Sequence, residues 1–318
     1  MLNSILRADA WCARRMPLLL LAALALGVSF SEQLSFLCAF ITPLMIYQTF
    51  ANSLGGSFRD LGRVALHPLP ILVVLLSLHV VMPLLALGVG SLFFPEQPLY
   101  TLGLVLEEAS PAAVSSLMWV VMGAGNAELC LSVVLLDTVL SPLVFPLTLR
   151  LLAGSVLEVD VAGMFGNLLI MIVLPAVAAM SLRRFAGQER CDWLKLRLRP
   201  FAKLALLCIS MATVTRCAPF LRGLTPELIL LIFLTLVMRL GALGLGYLFA
   251  RLFRFEPTTR LTATLCSGMR NTAAASTIAA TYFPWQVMFS PSCAPLFSQL
   301  TASLALHVLT RGKKNERT

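Results

Sequence analysis

Apolar residues run in ten stretches that divide nearly the whole chain: residues 16–30, 34–54, 71–94, 100–122, 129–152, 161–182, 204–221, 228–249, 262–282 and 287–309. Most approach or exceed the roughly 20 residues that carry a helix across a hydrocarbon core. The segments between them are short and polar, and none is long enough for a separate soluble domain. The pattern predicts an all-α integral membrane protein with ten transmembrane helices. The first stretch is short and follows Arg7, Arg14 and Arg15, as a signal-peptide core would. No small-x-small cleavage pattern follows it, so it is expected to stay as a span.

Two stretches are interrupted at their centres. Glu107-Glu108-Ala109-Ser110-Pro111 breaks the fourth, and Gly268-Met269-Arg270-Asn271-Thr272 breaks the ninth. A guanidinium at the bilayer centre costs about 2.5–3.5 kcal/mol on insertion scales. Pro111 removes a backbone donor and opens the helix. Unwound backbone at that depth is tolerated only where it is buried in protein or lines a wet cavity, so both breaks are expected to face a bundle interior. Pro111 and Gly268 lie 157 residues apart, about half the chain and five spans. That spacing predicts two inverted five-helix repeats, residues 1–160 and 161–318, whose broken helices cross at the midplane. The exposed half-helix ends would then hold ions or anionic groups.

Composition agrees with a lipid environment: 58% of the 318 residues are hydrophobic and only 12% charged. The net charge of +9 raises nucleic acid as a partner, but the distribution of the charge removes it. Of 24 Lys and Arg, 19 fall at the N-terminus, the second–third, sixth–seventh and eighth–ninth connections and the C-terminal tail; three lie on the opposite side and two, Arg239 and Arg270, within spans. This is a positive-inside pattern, and an even number of spans places both termini in the cytoplasm of a cell inner or plasma membrane. A nucleic-acid surface would need a folded basic domain. The eight cysteines are scattered through spans without metal-ligand spacing, so neither a disulfide framework nor a metal site is expected. No nucleotide, hydrolase or zinc-protease motif is present, and no cofactor is expected.

Few residues remain to carry chemistry. Adjacent Glu107 and Glu108 project about 100° apart on a helix, so one is expected to meet a partner closely and the other to sit nearer water. Ser110, Ser115 and Ser116 flank Pro111. Asp137 ends an apolar run in the fifth stretch and must be paired, hydrated or protonated. Arg270 is the obvious cation for Asp137 or Glu108. Such a pair is either a static lock between helices or a gate that an anion or a proton breaks. His79 reads as hydrogen-bonded packing rather than a proton relay, and Arg239 is left between a boundary and a cavity position. Gly241, Gly244 and Gly246 fit close helix packing. Trp119 and Trp285 suit interfacial or packing positions.

The run PAAVSSLMWVVMGAGNAELCLSVVLLDTVLSPLVFPLTLRLL resembles the fourth and fifth helices of the bile acid:sodium symporter family, with its Pro break, Gly-Asn and Ser-Pro kink. The run CSGMRNTAAASTIAATYFP resembles that family's second crossing helix, a Gly-Met-x-Asn core followed by small residues and a Phe-Pro end. The resemblance covers most of the chain. It implies a ten-helix secondary transporter with a panel domain and a core domain, the crossing helices lying in the core. Departures fall at the positions where the family implies sodium ligands. Ser116-Leu117 stands for Ser-Asn, Cys130 for Ser, Val134 for Thr, and Cys266-Ser267-Gly268-Met269-Arg270-Asn271 for Glu-x-Gly-x-Gln-Asn. An acidic ligand is lost and a cation gained.

The reading is therefore a transporter of a small organic anion working by alternating access, coupled to a proton rather than to sodium. Its expected substrate and coupling residues are Glu107, Glu108, Ser115, Ser116, Asp137, Gly268, Arg270, Asn271 and Thr272, with helix breaks at Pro111 and Gly268. The alternatives are a sodium-coupled symporter with relocated ligands, an intramembrane enzyme using Glu107, Glu108 and Asp137, and a sensor without flux.

Overall fold

The computed structural model describes residues 2–62, 68–153 and 160–315, and these are almost entirely helical. Apart from the short helix Phe58–Gly62, the helices in chain order are α1 (Leu2–Ser29), α2 (Ser31–Ser53), α3 (Pro68–Phe93), α4 (Pro98–Ala109), α5 (Ser116–Met122), α6 (Ala127–Ala153), α7 (Val161–Ala186), α8 (Gln188–Arg222), α9 (Pro226–Leu252), α10 (Pro257–Gly268), α11 (Thr272–Tyr282) and α12 (Trp285–Asn315). The second, α2, includes a 3₁₀ stretch at Ser35–Phe40; α3 and α7 each contain one π turn, at Ser77–Val81 and Leu169–Val173.

Where the apolar pattern expects ten spans, seven helices among the described residues are long and apolar enough to cross a membrane. These are α2, α3, α6, α7, α8, α9 and α12. The difference has two sources. The fourth and ninth stretches are each split into half-helices too short to qualify, and α1 offers only the shorter apolar segment Leu18–Ser29. The basic segment 183–203, expected to link two spans, is itself helical. Lys and Arg are good helix formers, so α7 continues through Arg183 and Arg184, and α8 is one helix of 35 residues. Only Gly187 separates them, at φ 89°, a left-handed value that suits a residue without Cβ. Of the residues expected in the second–third connection, Arg59, Arg63 and His67, the last two lie outside the described residues.

The helices pack in two groups: α1, α2, α7 and α8 lie chiefly on one another, while α3 and α4 pack together, α9 pairs with α10, and α12 covers α4 and α11. Apolar side chains of the second group, such as Leu104, Leu106, Ile278 and Phe289, form its buried centre. Small residues set the close approaches. A Cβ on Gly103 would stand 2.8 Å from Val287 O, and one on Gly246 would stand 2.7 Å from Ser267 Cβ. Gly241 and Gly244 have open space instead, so only Gly246 of that expected packing trio makes a tight contact. Trp119 takes a packing role, its Nε1 donating to Gln299 Oε1 at 3.1 Å, and Trp285 meets Tyr100 edge-on. Arg216 and Arg222 tie α8 to its neighbours by donating to Ala280 O and, at 2.7 Å, to Val28 O.

Candidate functional site at the crossing of two broken helices

The residue before a proline is pushed out of the α region. Accordingly α4 stops at Ala109 and Ser110 turns extended, at φ −65°, ψ 149°. Its hydroxyl donates back to Glu107 O at 2.7 Å. The second break opens at Met269, also extended at φ −101°, ψ 108°. Helix α11 restarts behind Asn271, whose Oδ1 accepts from Ala274 N at 3.2 Å as an N-cap.

The two extended segments cross and pair antiparallel, with Ala112 opposite Arg270. Asn271 N donates to Pro111 O at 2.7 Å, and Ala113 N donates to Met269 O at 2.9 Å. Each break therefore satisfies backbone groups that the other has released, which is what unwound backbone in a nonpolar setting requires. The expected meeting of Pro111 with residues 268–271 is present.

The charges gather on this crossing. Arg239 on α9 forms an ion pair with Glu107, and its Nη1 donates to Gly268 O at 3.1 Å. Arg270 reaches Glu108 Oε2 at 3.5 Å, and its Nη1 faces Leu78 O at 3.3 Å and Ser110 O at 3.4 Å. Each arginine thus also covers a carbonyl left free at a half-helix C-terminus, where the helix dipole favours a cation. Asp137 receives His79 Nε2 at 2.5 Å on one oxygen and Ala112 N at 2.5 Å on the other.

Several expectations change here. Both glutamates are buried, each 1% exposed, and each has its own arginine, so neither sits nearer water. Arg239 turns into the crossing. Asp137 is not hydrogen-bonded to Arg270; Glu108 is. His79 is hydrogen-bonded, as expected, but its partner is Asp137, and nothing in the sequence sets its distance to a carboxylate 58 positions away. Its one signal was an imidazole in an otherwise apolar stretch. Ser115 is exposed and makes no side-chain cap at the start of α5. Ser116 is buried, donating to Ala113 O at 2.7 Å, and Gly268 and Thr272 are buried beside the break.

Below α5 a different set converges. Ser116 Oγ lies 3.4 Å from Cys130 Sγ, which lies 3.5 Å from Cys266 Sγ. Cys130 and Cys266 are two of the positions singled out as departures from sodium ligands, and with Ser116 they present one hydroxyl and two thiols. No group of three or more His, Cys, Asp or Glu among the described residues is arranged to hold a metal ion.

The charged cluster keeps unused capacity. Glu107 Oε2, Glu108 Oε1, Arg239 Nε and Arg270 Nε are buried without a hydrogen-bond partner among the described residues. A planar anion has donors to engage there, and its arrival would compete with the long Arg270–Glu108 contact in particular.

The sequence profile of the Sodium Bile acid symporter family matches residues 20–221. The chain is 34% identical to Uncharacterized protein YbaS of Bacillus subtilis (strain 168), over 93% of this chain and 97% of that protein. It is 24% identical to Uncharacterized sodium-dependent transporter YocS of the same organism, over 81% of this chain and 79% of the relative. Against Probable sodium/metabolite cotransporter BASS2, chloroplastic, of Oryza sativa subsp. japonica, identity is 23% over 81% of this chain and 60% of the relative.

Proposed function

The chain belongs to the Sodium Bile acid symporter family and is a secondary transporter; from that premise we propose that it moves a small organic anion by alternating access about the helix crossing. The Arg270–Glu108 contact carries the reading. It is a single 3.5 Å approach, with an unused Nε on one side and an unused Oε1 on the other. A substrate carboxylate or sulfonate offers Arg270 two parallel hydrogen bonds in place of that contact. Glu107, Glu108, Ser116, Asp137, Gly268, Asn271 and Thr272 frame the site. Ser115, the exposed residue before α5, stands at the edge of this proposed set.

The architecture supports two inverted halves, residues 1–160 and 161–318, of five spans each. Helices starting at Ser31, Pro68, Pro98 and Ala127 recur as helices starting at Gln188, Pro226, Pro257 and Trp285, at spacings of 157, 158, 159 and 158 residues. Both first half-helices, α4 and α10, have 12 residues and begin with proline. On this reading α1, α2, α7 and α8 are the panel, and the remaining helices are the moving or anchored core. Both termini are cytoplasmic in a cell inner or plasma membrane.

Sodium is not the coupling ion on this reading. It is a hard cation that prefers oxygen donors, whereas Ser116, Cys130 and Cys266 supply mostly sulfur. The Arg270 charge nearby would repel it further. Two of the relatives, YocS and BASS2, are named for sodium, which favours a second reading, a sodium-coupled symporter with its ligands elsewhere. The family's character as transporters disfavours the enzyme and the flux-free sensor.

The test is uptake by the purified full chain in proteoliposomes, using labelled lactate, benzoate, succinate and isethionate. Protein-dependent, saturable flux of at least one of them is expected, persisting when choline replaces sodium and changing with an imposed pH gradient. Folded Arg270→Lys, which keeps the charge but loses the fork, should raise the half-saturation concentration about tenfold, and Arg270→Ala should abolish flux. Sodium stimulation without any response to the pH gradient would establish the second reading. Near-normal flux in a folded Arg270→Ala, Glu108→Ala double variant would reduce the pair to a structural lock.

A further inference from the structure

The π turn of α3 meets the second helix break directly and the first through Asp137. A π turn widens the helix locally, frees a carbonyl from the ladder, and recurs at functional sites. Here Leu78 O faces Arg270 Nη1 at 3.3 Å, while the next side chain, His79, puts Nε2 on Asp137 Oδ1 at 2.5 Å. The other Asp137 oxygen accepts from Ala112 N at 2.5 Å, and Ala112 is the residue opposite Arg270 where the breaks pair. A change of charge on this imidazole is therefore felt at both crossing segments. The His79 side chain is 8% exposed, and its Nδ1 is buried with no hydrogen-bond partner among the described residues.

The charges around His79 leave a deficit that it can fill. Glu107 and Glu108 stand on α4, Asp137 on α6, Arg239 on α9, and Arg270 reaches in from the second break. The rest of α3 brings no titratable side chain, and the thiols of Cys130 and Cys266 lie toward Asp137. Three acidic side chains face two guanidinium groups, and the one without an arginine of its own is Asp137, whose side-chain partner is His79. Uncompensated charge away from water is costly. An arriving organic monoanion adds a negative charge beside this pair unless a proton comes with it. Imidazole is the side chain whose ordinary range lets it gain and lose that proton near neutrality.

We propose that His79 and Asp137 form the proton site of this transporter, with Nδ1 taking up one proton for each monoanion bound. The proton adds to the Nδ1 lone pair while the Nε2–H bond to Asp137 is kept. The role of the proton in transport rests on the anion reading above, but the site can be tested apart from it.

The chain has three histidines, which makes ¹⁵N-histidine resonance of the full chain in lipid nanodiscs practicable; the His79 signal is the one lost in His79→Gln. The expected result is a reversible change of His79 between imidazole and imidazolium as the pH is varied. In Asp137→Asn the ratio of imidazolium to imidazole at a fixed pH should fall about tenfold, and Asp137→Glu should restore it. A His79 that keeps one neutral form throughout, or whose titration ignores Asp137→Asn, overturns the proposal. In proteoliposomes with labelled isethionate or lactate, His79→Gln should lower gradient-driven uptake about tenfold relative to exchange uptake. An unchanged ratio also overturns it. If the wild-type protein moves none of the four anions, the anion reading fails, and the resonance result still decides the proton site.

Discussion

At the scale of single residues, the two buried arginines do different work although each has one glutamate. Arg239 holds Glu107 closely and also ties down Gly268 O, so the pair joins α9, α4 and the end of α10. Arg270 meets Glu108 at 3.5 Å. Removing one member of a buried pair costs about 3–5 kcal/mol when the remaining charge has no other partner. Glu107→Gln should therefore lower the thermal unfolding midpoint in detergent clearly more than Glu108→Gln, since the Arg270 guanidinium keeps two carbonyls in reach. Equal losses, or the reverse order, would contradict this division between a lock and a gate. The adjacency of the two glutamates was plain in the sequence. Their separate partners were not, because Arg239 is 132 residues from Glu107 and Arg270 is 162 from Glu108.

At the scale of elements, the second break depends on a side chain that is missing. A Cβ on Gly268 would come within 2.3 Å of Leu243 Cγ on α9, and overpacking of this kind typically costs about 1–3 kcal/mol. Gly268→Ala should lower the unfolding midpoint, with Leu243→Ala recovering part of the loss in the double variant. Gly241→Ala, on the helix that carries Leu243, is the control. It meets open space, and exchanging glycine for alanine in a helix interior favours the helix by about 1 kcal/mol. A loss at Gly241 as large as that at Gly268 would mean that the contact with Leu243 is not what the glycine serves. Pro111 announced its break directly, through the bar on helix at the preceding residue. Gly268 announced only permissiveness, and the reason for it lies on another helix.

At the scale of the whole molecule, the matching spacings of helix starts predict that the two halves enter the membrane in opposite senses and that the span number is even. Tags on the N- and C-termini should then be accessible from the same, cytoplasmic, side in sealed vesicles. Access to the two tags from opposite sides would remove the even count and the inverted repeat with it. The long α8 bears on the same question. Its basic first half, from Arg190 to Lys203, extends the helix instead of forming a loop.

What the sequence determined by itself was set by local rules. Apolar runs of spanning length, a proline that ends a helix, charges excluded from most runs and a half-chain spacing are all properties of contiguous residues, and each led to the all-helical membrane protein with interruptions at Pro111 and Gly268. The presence of Glu107, Glu108, Asp137 and Arg270 at depth was visible for the same reason, since a charge in an apolar run stands out. Pairing among them is a non-local property. The antiparallel contact of Ala112 with Arg270 brings the two breaks together, Arg239 turns inward from α9 to Glu107, and the π turn swings His79 onto Asp137. Each of those partnerships depends on helix rotation and packing across the bundle, and only the tertiary structure decides them.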